Sequence, residues 1–291
     1  MHYLIANPTA GRGRTLRALP QVQAFFAERS LPLTTLLTEA PGHATDLAQA
    51  LPADATILSL GGDGTLCEIV RACIGNGRTV GVLPGGTGND FAFALGLERY
   101  ALAQGLEVVS NGHVRMVDIA EVNGLPFVNA LGLGFPAEVA QAAQQAPRFL
   151  VGPGVYLYAI FSVLSRLKTP HVEVVVDGQL YYAGPALLVS VQNGPSTAGG
   201  FLFAPQANLD DGRLDVVIAT NLSRWGTVKL LPKVMKGRHL GHPQVMLAKA
   251  KQVSVRWSQP RPGHMDGELL PPESTFEIRL RTAALRVLAP N

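Results

Sequence analysis

Leu60-Gly61-Gly62-Asp63-Gly64-Thr65 follows the apolar run Thr56-Ile57-Leu58-Ser59 and leads into Leu66, Ile69 and Val70, which share one helical face. The stretch reads as a strand, a glycine turn and a helix start. Glycines let the backbone turn tightly, so that N–H groups and a helix N-terminus face an anion, and Asp63 adds a carboxylate where a magnesium-bound phosphate would sit. Tight βα connections also need glycine for steric reasons alone, so a single turn leaves both readings open. Repetition carries the argument further. Asn7-Pro8-Thr9-Ala10-Gly11-Arg12-Gly13 follows the strand-like Tyr3-Leu4-Ile5-Ala6, and Pro84-Gly85-Gly86-Thr87-Gly88-Asn89-Asp90 follows the strand-like residues 79–83. Three polar glycine turns stand at three strand ends.

Around these turns, residues 1–118 alternate β-rich runs with amphipathic patterns such as Leu16, Leu19, Val22, Phe25, Phe26 and Ala44, Leu47, Ala48, Leu51. The alternation predicts βα units and a mostly parallel sheet, whose ligands bind beyond the carboxyl ends of the strands. From Val117 the pattern changes to short strands and hairpin signals, including Asn123-Gly124 and Asp177-Gly178. This predicts a second domain over 119–283, mainly antiparallel β. Residues 149–167 do not fit a plain β domain: they are apolar on nearly every side, are broken by Gly152-Pro153-Gly154, and are short for a membrane span. They read either as a buried helix or as one wall of a slot for an acyl chain.

Composition narrows the function classes. With 291 residues, 47% of them hydrophobic and 15% charged, the chain has ample material for buried cores. A net charge of +3 suits anionic ligands or a membrane surface but falls short of a nucleic-acid footprint, so no nucleic-acid partner is expected. The opening residues lack a basic segment followed by a long apolar run, which predicts a cytoplasmic protein. Cys67 and Cys73 lie six apart on one predicted helix, a spacing unsuited to a disulfide or a metal pair. The first lysine is Lys168, so a Walker motif is excluded. Phosphates would be held by backbone amides, hydroxyls, arginine and magnesium. Arg12 and Arg14, beside the first turn, are candidates for that task or else solvated side chains.

Together these motifs resemble the diacylglycerol kinase and sphingosine kinase catalytic family, specifically its single-chain bacterial lipid kinases. The resemblance rests on Asn7-Pro8-x-Ala10-Gly11, Thr38 followed by Gly42-His43-Ala44, the Gly61–Thr65 turn, Pro84 to Phe91, residues 205–215, and Asp266-Gly267-Glu268, and it covers nearly the whole chain. It implies an N-terminal α/β domain similar to those of phosphofructokinase and NAD kinase, a C-terminal β-sandwich, a last strand at 284–291 returning to the first domain, and ATP in the cleft. It places ATP against Asn7, Pro8, Thr9, Ala10, Gly11, Thr38, Gly61, Gly62, Asp63, Gly64, Thr65, Leu66, Cys67 and Thr87, with Asp63 near the reacting phosphate and its Mg²⁺.

The resemblance makes Asp266 or Glu268 the proton acceptor, and the other a residue that orients it or a magnesium-bound water. In an extended segment residues two apart share a face, so both carboxylates would reach one site, although Asp-Gly is also turn chemistry. By the same resemblance, Asp211 with the main chains of Asn208 and Arg213 would hold a second, structural magnesium. Two departures stand out: Phe93 occupies a position where many relatives carry arginine, and His264-Met265 fits no assigned pattern.

The activity expected is ATP- and Mg²⁺-dependent phosphorylation of a lipid hydroxyl, with diacylglycerol first. The rivals are an NAD kinase-like transferase with a soluble acceptor, against which residues 149–167 speak, and a non-catalytic lipid- or nucleotide-binding regulator. The partner would be a lipid at a membrane surface, with peripheral contact at the inner face; the oligomeric state stays open, a homodimer included. Lys229, Lys233 and Lys236, spaced four and three apart, with Arg224, Arg238 and His239 nearby, read as a basic face for anionic headgroups or as a solvated polar face. Pro232 is expected to interrupt the helix that carries them.

Overall fold

The computed structural model describes residues 1–147, 150 and 153–290. Strands β1 (His2–Ala6), β2 (Leu33–Leu37), β3 (Thr56–Gly61) and β4 (Thr79–Pro84) run parallel in the order β2-β1-β3-β4. Helices α1 (Ala10–Glu28), α2 (His43–Gln49) and α3 (Asp63–Cys73) connect them, and α4 (Asp90–Ala94) and α5 (Leu102–Asn111) follow β4. All of β4 is buried, and so is β3 beyond Thr56, as expected for the centre of a parallel sheet covered on both faces. Leu66, Ile69, Val70 and Cys73 of α3 join Leu4, Ile5, Leu58, Leu83 and Phe91 in this core. Both cysteines are buried and free.

The second half is antiparallel. It comprises β5 (His113–Val122), β6 (Leu125–Phe127), β7 (Ala130–Gly134), α6 (Phe135–Gln144), α7 (Pro153–Ser165), β8 (His171–Val176), β9 (Gln179–Gln192), β10 (Leu214–Thr220), α8 (Arg224–Met235), β11 (Val245–Ala250), β12 (Gln252–Met265) and β13 (Glu268–Ala289). The long strands β9 and β12 are bridged twice: β12 pairs β8 through Val253 to Trp257 and β7 through Gly263 to Met265, and both β7 and β8 pair β9. The sandwich closes on Val174, Val189, Val191, Val255, Trp257 and Phe276. A third core joins α6, α7 and α8 to β9 and β10.

β13 runs through both halves. It pairs β12 from Glu268 to Arg279, then β5, and its Arg286 and Val287 lie parallel to Thr79 and Val80 of β4. The β13 register breaks between Arg281 and Leu285, and there the Ala283 N–H donates to Asp118 Oδ1 at 2.8 Å. Asp118 Oδ2 accepts from the Gly212 N–H at 2.8 Å, so one buried carboxylate joins the strand break to the loop ahead of β10.

Three expectations change. Helix α6 has no counterpart in the sequence reading. Pro232 lies inside α8 without ending it; Ser223 Oγ caps the N-terminus by accepting from the Gly226 N–H, and Leu230 and Val234 anchor the helix on either side of the proline. The 149–167 segment, of which 149, 151 and 152 lie outside the described residues, forms α7, and that helix is half-buried. Ala159, Ile160, Val163 and Leu164 face the core, while Leu157, Tyr158 and Phe161 are exposed.

Candidate active site

The three glycine turns meet at the carboxyl ends of β1, β3 and β4, where the strand order reverses between β1 and β3. The Asn7 N–H donates to Leu60 O at 3.1 Å, Gly85 N–H to Gly61 O at 2.9 Å, and Thr38 N–H to Ala6 O at 3.0 Å. Asn7 Nδ2 reaches Thr65 Oγ1 at 3.2 Å across that point, and Asn7 Oδ1 accepts from the Thr9 N–H and hydroxyl. Gly11 is left-handed (φ +59°), and a Cβ there would lie 2.1 Å from Gly85 O; one on Gly86 would lie 2.4 Å from Gly62 Cα. The glycines therefore serve the mutual approach of the turns as well as any ligand.

Residues 7–11 and Thr38 border this junction, and the N-terminus of α3 opens on it. That helix has no side-chain cap, so its first N–H groups lack a side-chain partner, and the space beside Gly64 is open. The cluster is what a phosphate chain would fit. Thr65, Leu66 and Cys67 are buried and anchor α3, whereas Thr87 is exposed and its carbonyl accepts from the Tyr100 hydroxyl. Arg14 donates to Gly86 O at 2.8 Å and lies over the Tyr100 ring; Arg12 is exposed.

Asp63 accepts from the Phe91 N–H at 3.3 Å. Burial and then the neighbouring Asp90 charge raise its carboxyl above the ordinary range. Asp90 is held by Arg99 at 2.6 Å, the Ser196 hydroxyl at 2.7 Å and the Gly199 N–H at 2.8 Å. Sequence reasoning quoted Asp90 within a motif and missed this network. The left-handed Asn89, whose side chain binds Gly86 on both its N–H and its carbonyl, was the available signal. Arg99 also stacks on the Phe93 ring, which puts a guanidinium beside the position where the family resemblance leads one to expect arginine.

Asp266 and Glu268 do not share an extended strand. Asp266 (φ +46°) and Gly267 (φ +99°) form the two-residue turn of the β12–β13 hairpin, and Met265 pairs with Glu268 across it. The turn points Asp266 inward. Its carboxylate accepts from Val128 N–H at 2.6 Å, Asn129 N–H at 3.1 Å, Ala130 N–H at 2.8 Å and the Cys67 thiol at 3.3 Å. Burial pushes its pKa up to about 6 against the downward pull of these donors. Glu268 faces outward and meets Arg71 of α3 at 2.7 Å, both side chains being partly exposed. His264 is substantially buried, which lowers its pKa, while the Asp90 charge acts the other way.

In the loop expected to carry a second magnesium, the Asn208 and Asp211 side chains meet partners within the protein. Asp211 Oδ1 accepts from the Arg213 N–H, Asp211 Oδ2 meets Lys249 Nζ at 2.7 Å, and Asn208 Oδ1 accepts from Arg115. Lys249 also lies 3.6 Å from Asp215 and opposite it in the β10–β11 register. The protein's own ammonium neutralises the carboxylate. Among the described residues no cluster of three or more His, Cys, Asp or Glu could ligate a metal. A cavity of about 360 Å³ opens between α6, α7 and β12, lined by Glu138, Arg166, Lys168 and Arg261 among others and by none of the glycine turns.

Comparison with known proteins settles the lineage. Residues 1–122 match the diacylglycerol kinase catalytic domain, and 129–289 match the YegS C-terminal NAD kinase beta sandwich-like domain. The chain is 33% identical over 271 residues to the diacylglycerol kinase of Bacillus subtilis (strain 168), covering 91% of this chain and 88% of that one. The chain belongs to the diacylglycerol kinase catalytic family. It is a kinase acting on a lipid alcohol. Within the family, the diacylglycerol kinase of Staphylococcus carnosus is 32% identical over the same share of this chain. A diacylglycerol kinase structure from Bacillus anthracis str. Sterne superposes with TM-score 0.74 at 25% identity over 99% of this chain and 96% of that one. An NAD kinase from Archaeoglobus fulgidus, solved in complex with ATP, shares the fold at TM-score 0.53 and 11% identity, over 100% of this chain and 94% of that one.

Proposed function

We propose that this kinase transfers the γ-phosphoryl group of ATP, with Mg²⁺, to the free hydroxyl of diacylglycerol, giving phosphatidic acid. One observation carries the reading: Asp63, Cys67 and Arg71 stand on successive turns of one face of α3. Asp63 marks the phosphate end, Cys67 touches Asp266, and Arg71 touches Glu268. One rigid helix thus links the glycine turns to the hairpin carboxylates.

Phosphoryl transfer depends on positioning and charge stabilisation. The N–H groups of Gly11 and of residues 62–64 would cradle the phosphates, and Arg14 braces the third turn. Asp63 would hold the nucleotide's Mg²⁺, with Asp90 behind it; such an ion usually keeps several waters and takes one or two carboxylates plus substrate phosphates, so one carboxylate suits the task. The ion would neutralise charge on the β- and γ-phosphates. Glu268, partly exposed, would take the proton of the acceptor hydroxyl while the hydroxyl oxygen bonds to the γ-phosphorus and ADP leaves. Asp266, saturated by backbone donors, positions the hairpin.

The test follows labelled phosphate from ATP into organic-extractable product across diacylglycerol, ceramide, sphingoid base, phosphatidylglycerol and polyprenol acceptors. The expected result is label in phosphatidic acid, dependent on Mg²⁺ and lost in Asp63→Asn. Label confined to aqueous product, or full activity in Asp63→Asn, would overturn the reading.

A further inference from the structure

The layer formed by α7 and α8 has an outer side unlike an ordinary solvated surface. On α7, Leu157 is 56% exposed and Phe161, one turn on, 60%, with Tyr158 beside them. On α8, Trp225 is 76% exposed and heads the row Trp225, Lys229, Lys233, Lys236, which lies along one helical face. The inner faces of both helices pack into the same core with β9 and β10. Arg224 Nη2 donates to Ser165 O at 2.9 Å, fastening the start of α8, next to Trp225, to the end of α7, one turn beyond Phe161.

The charge around this layer has one sign. Between Asp215 and Asp266 the sequence has no acidic residue and nine lysines and arginines; between Glu138 and Glu173 it has no acidic residue either. Among the described residues Lys229, Lys233 and Lys236 pair with no carboxylate. Exposed aliphatic and aromatic side chains bordered by unpaired lysines match the boundary of a bilayer. There, tryptophan and tyrosine settle at headgroup depth, and lysine stems lie along apolar surface with their ammonium groups among phosphates.

We infer that the outer face of α7 and α8 is a bilayer-docking surface that inserts Leu157, Phe161 and Trp225 into the headgroup boundary of an anionic phospholipid membrane, with Lys229, Lys233 and Lys236 on the lipid phosphates. This rests on the lipid-kinase reading above only in supplying a reason to visit a membrane; the surface itself is argued from exposure and charge.

Tryptophan fluorescence gives a direct readout, because the only other tryptophan, Trp257, is buried in the sandwich core. The protein is mixed with vesicles of phosphatidylglycerol or of phosphatidylcholine, with and without brominated acyl chains, and its partition is measured by co-sedimentation. Phosphatidylglycerol vesicles should shift Trp225 emission to the blue and quench it when brominated, with no such response in Trp225→Phe; phosphatidylcholine vesicles should bind far more weakly. Replacing all three lysines by glutamine should weaken partition roughly 100-fold, at about fivefold per lysine near an anionic surface. Leu157→Ser with Phe161→Ser should weaken it at least tenfold.

Every variant should melt within about 2 °C of wild type, since all these side chains point outward. On a short-chain, monomerically dispersed diacylglycerol the variants should turn over at the wild-type rate. Equal binding to both vesicle types, unmoved Trp225 emission, or unchanged partition in either multiple variant overturns the proposal. A dimer in sedimentation velocity that Phe161→Ser dissociates, with vesicle binding unchanged, also overturns it by naming a second copy as the occupant. Vesicle binding without transfer to any lipid would reject the proposed function and leave this surface standing, whereas transfer without vesicle binding would do the reverse.

Discussion

Replacing Asp266 by alanine should destabilise the protein by an amount that depends on pH. The substitution strips the acceptor from the N–H groups of Val128, Asn129 and Ala130, all buried. At about 2 kcal/mol for each buried donor left unsatisfied, the loss is roughly 6 kcal/mol. Against this, the variant no longer carries a desolvated carboxylate. Raising that carboxyl from 3.8 to about 6 costs the ionised wild type about 3 kcal/mol at neutral pH. The net loss is then about 3 kcal/mol at pH 7.5, or roughly 6–12 °C in melting temperature.

The sign of the pH dependence follows from the raised pKa. Between about pH 4 and 6 the folded wild type binds a proton that the unfolded chain does not, so this group's contribution to stability grows as pH falls and is lost as pH rises through 6. Alanine has nothing to titrate. The deficit of the variant should therefore widen by about 1 kcal/mol between pH 7.5 and pH 5. Thermal melts of both proteins at the two pH values, with activity recorded in parallel, provide the assay. A variant that melts within 2 °C of wild type yet has lost its turnover would mean that Asp266 acts on substrate rather than on the hairpin. A deficit unchanged or smaller at pH 5 would refute the charge argument.

Other outcomes follow from the same geometry. Glu268→Gln keeps an acceptor for Arg71 at a partly exposed pair, so it should shift the melt by no more than about 3 °C while kcat falls roughly 100- to 10,000-fold; turnover within threefold of wild type would remove Glu268 as the proton acceptor. Gly86→Ala forces a Cβ to within 2.4 Å of Gly62 Cα, and overpacking of this kind costs about 1–3 kcal/mol; the KM for ATP should rise about tenfold as the turns part, and unchanged KM and melt would contradict that packing. EDTA should leave the wild-type melt unmoved, because Lys249 already neutralises Asp211. Lys249→Met should cost about 1–2 kcal/mol, and a fall of more than 5 °C in wild type with EDTA would restore a structural magnesium.

Much of the fold was legible because its signals are local. Apolar strands of five or six residues, glycines at their ends and the 3.6-residue pattern of Leu66, Ile69 and Val70 each act within a few positions. Asn123-Gly124 and Asp177-Gly178 announced their hairpins, and both asparagine and aspartate adopt the left-handed conformation such turns require. Asp266-Gly267 carries the same dipeptide, but the reading of two carboxylates on one extended face overrode it. The site's remaining connections were out of reach for a different reason. Arg71 and Glu268 are 197 residues apart, and Asp90 and Ser196 are separated by 106, so their pairing is a product of tertiary assembly that neither partner's neighbours encode. Helix α6 was missed because Ala, Gln and Val in residues 137–144 give a weak apolar stripe next to the better-marked α7.

β5 leaves the parallel sheet's side of the molecule, β13 comes back to it, and the two are paired antiparallel along nearly all of β5 and the second half of β13. The two halves are therefore joined by a hydrogen-bonded ribbon, which twists or flexes as a unit where a single covalent linker would swing freely. The ribbon also orders events during synthesis. The edge of β4 has no partner until Arg286 and Val287 arrive, so the nucleotide-side sheet is completed by residues translated long after β4 itself. Loss of Arg286 and Val287, far from the glycine turns in sequence, would leave open the sheet that carries them.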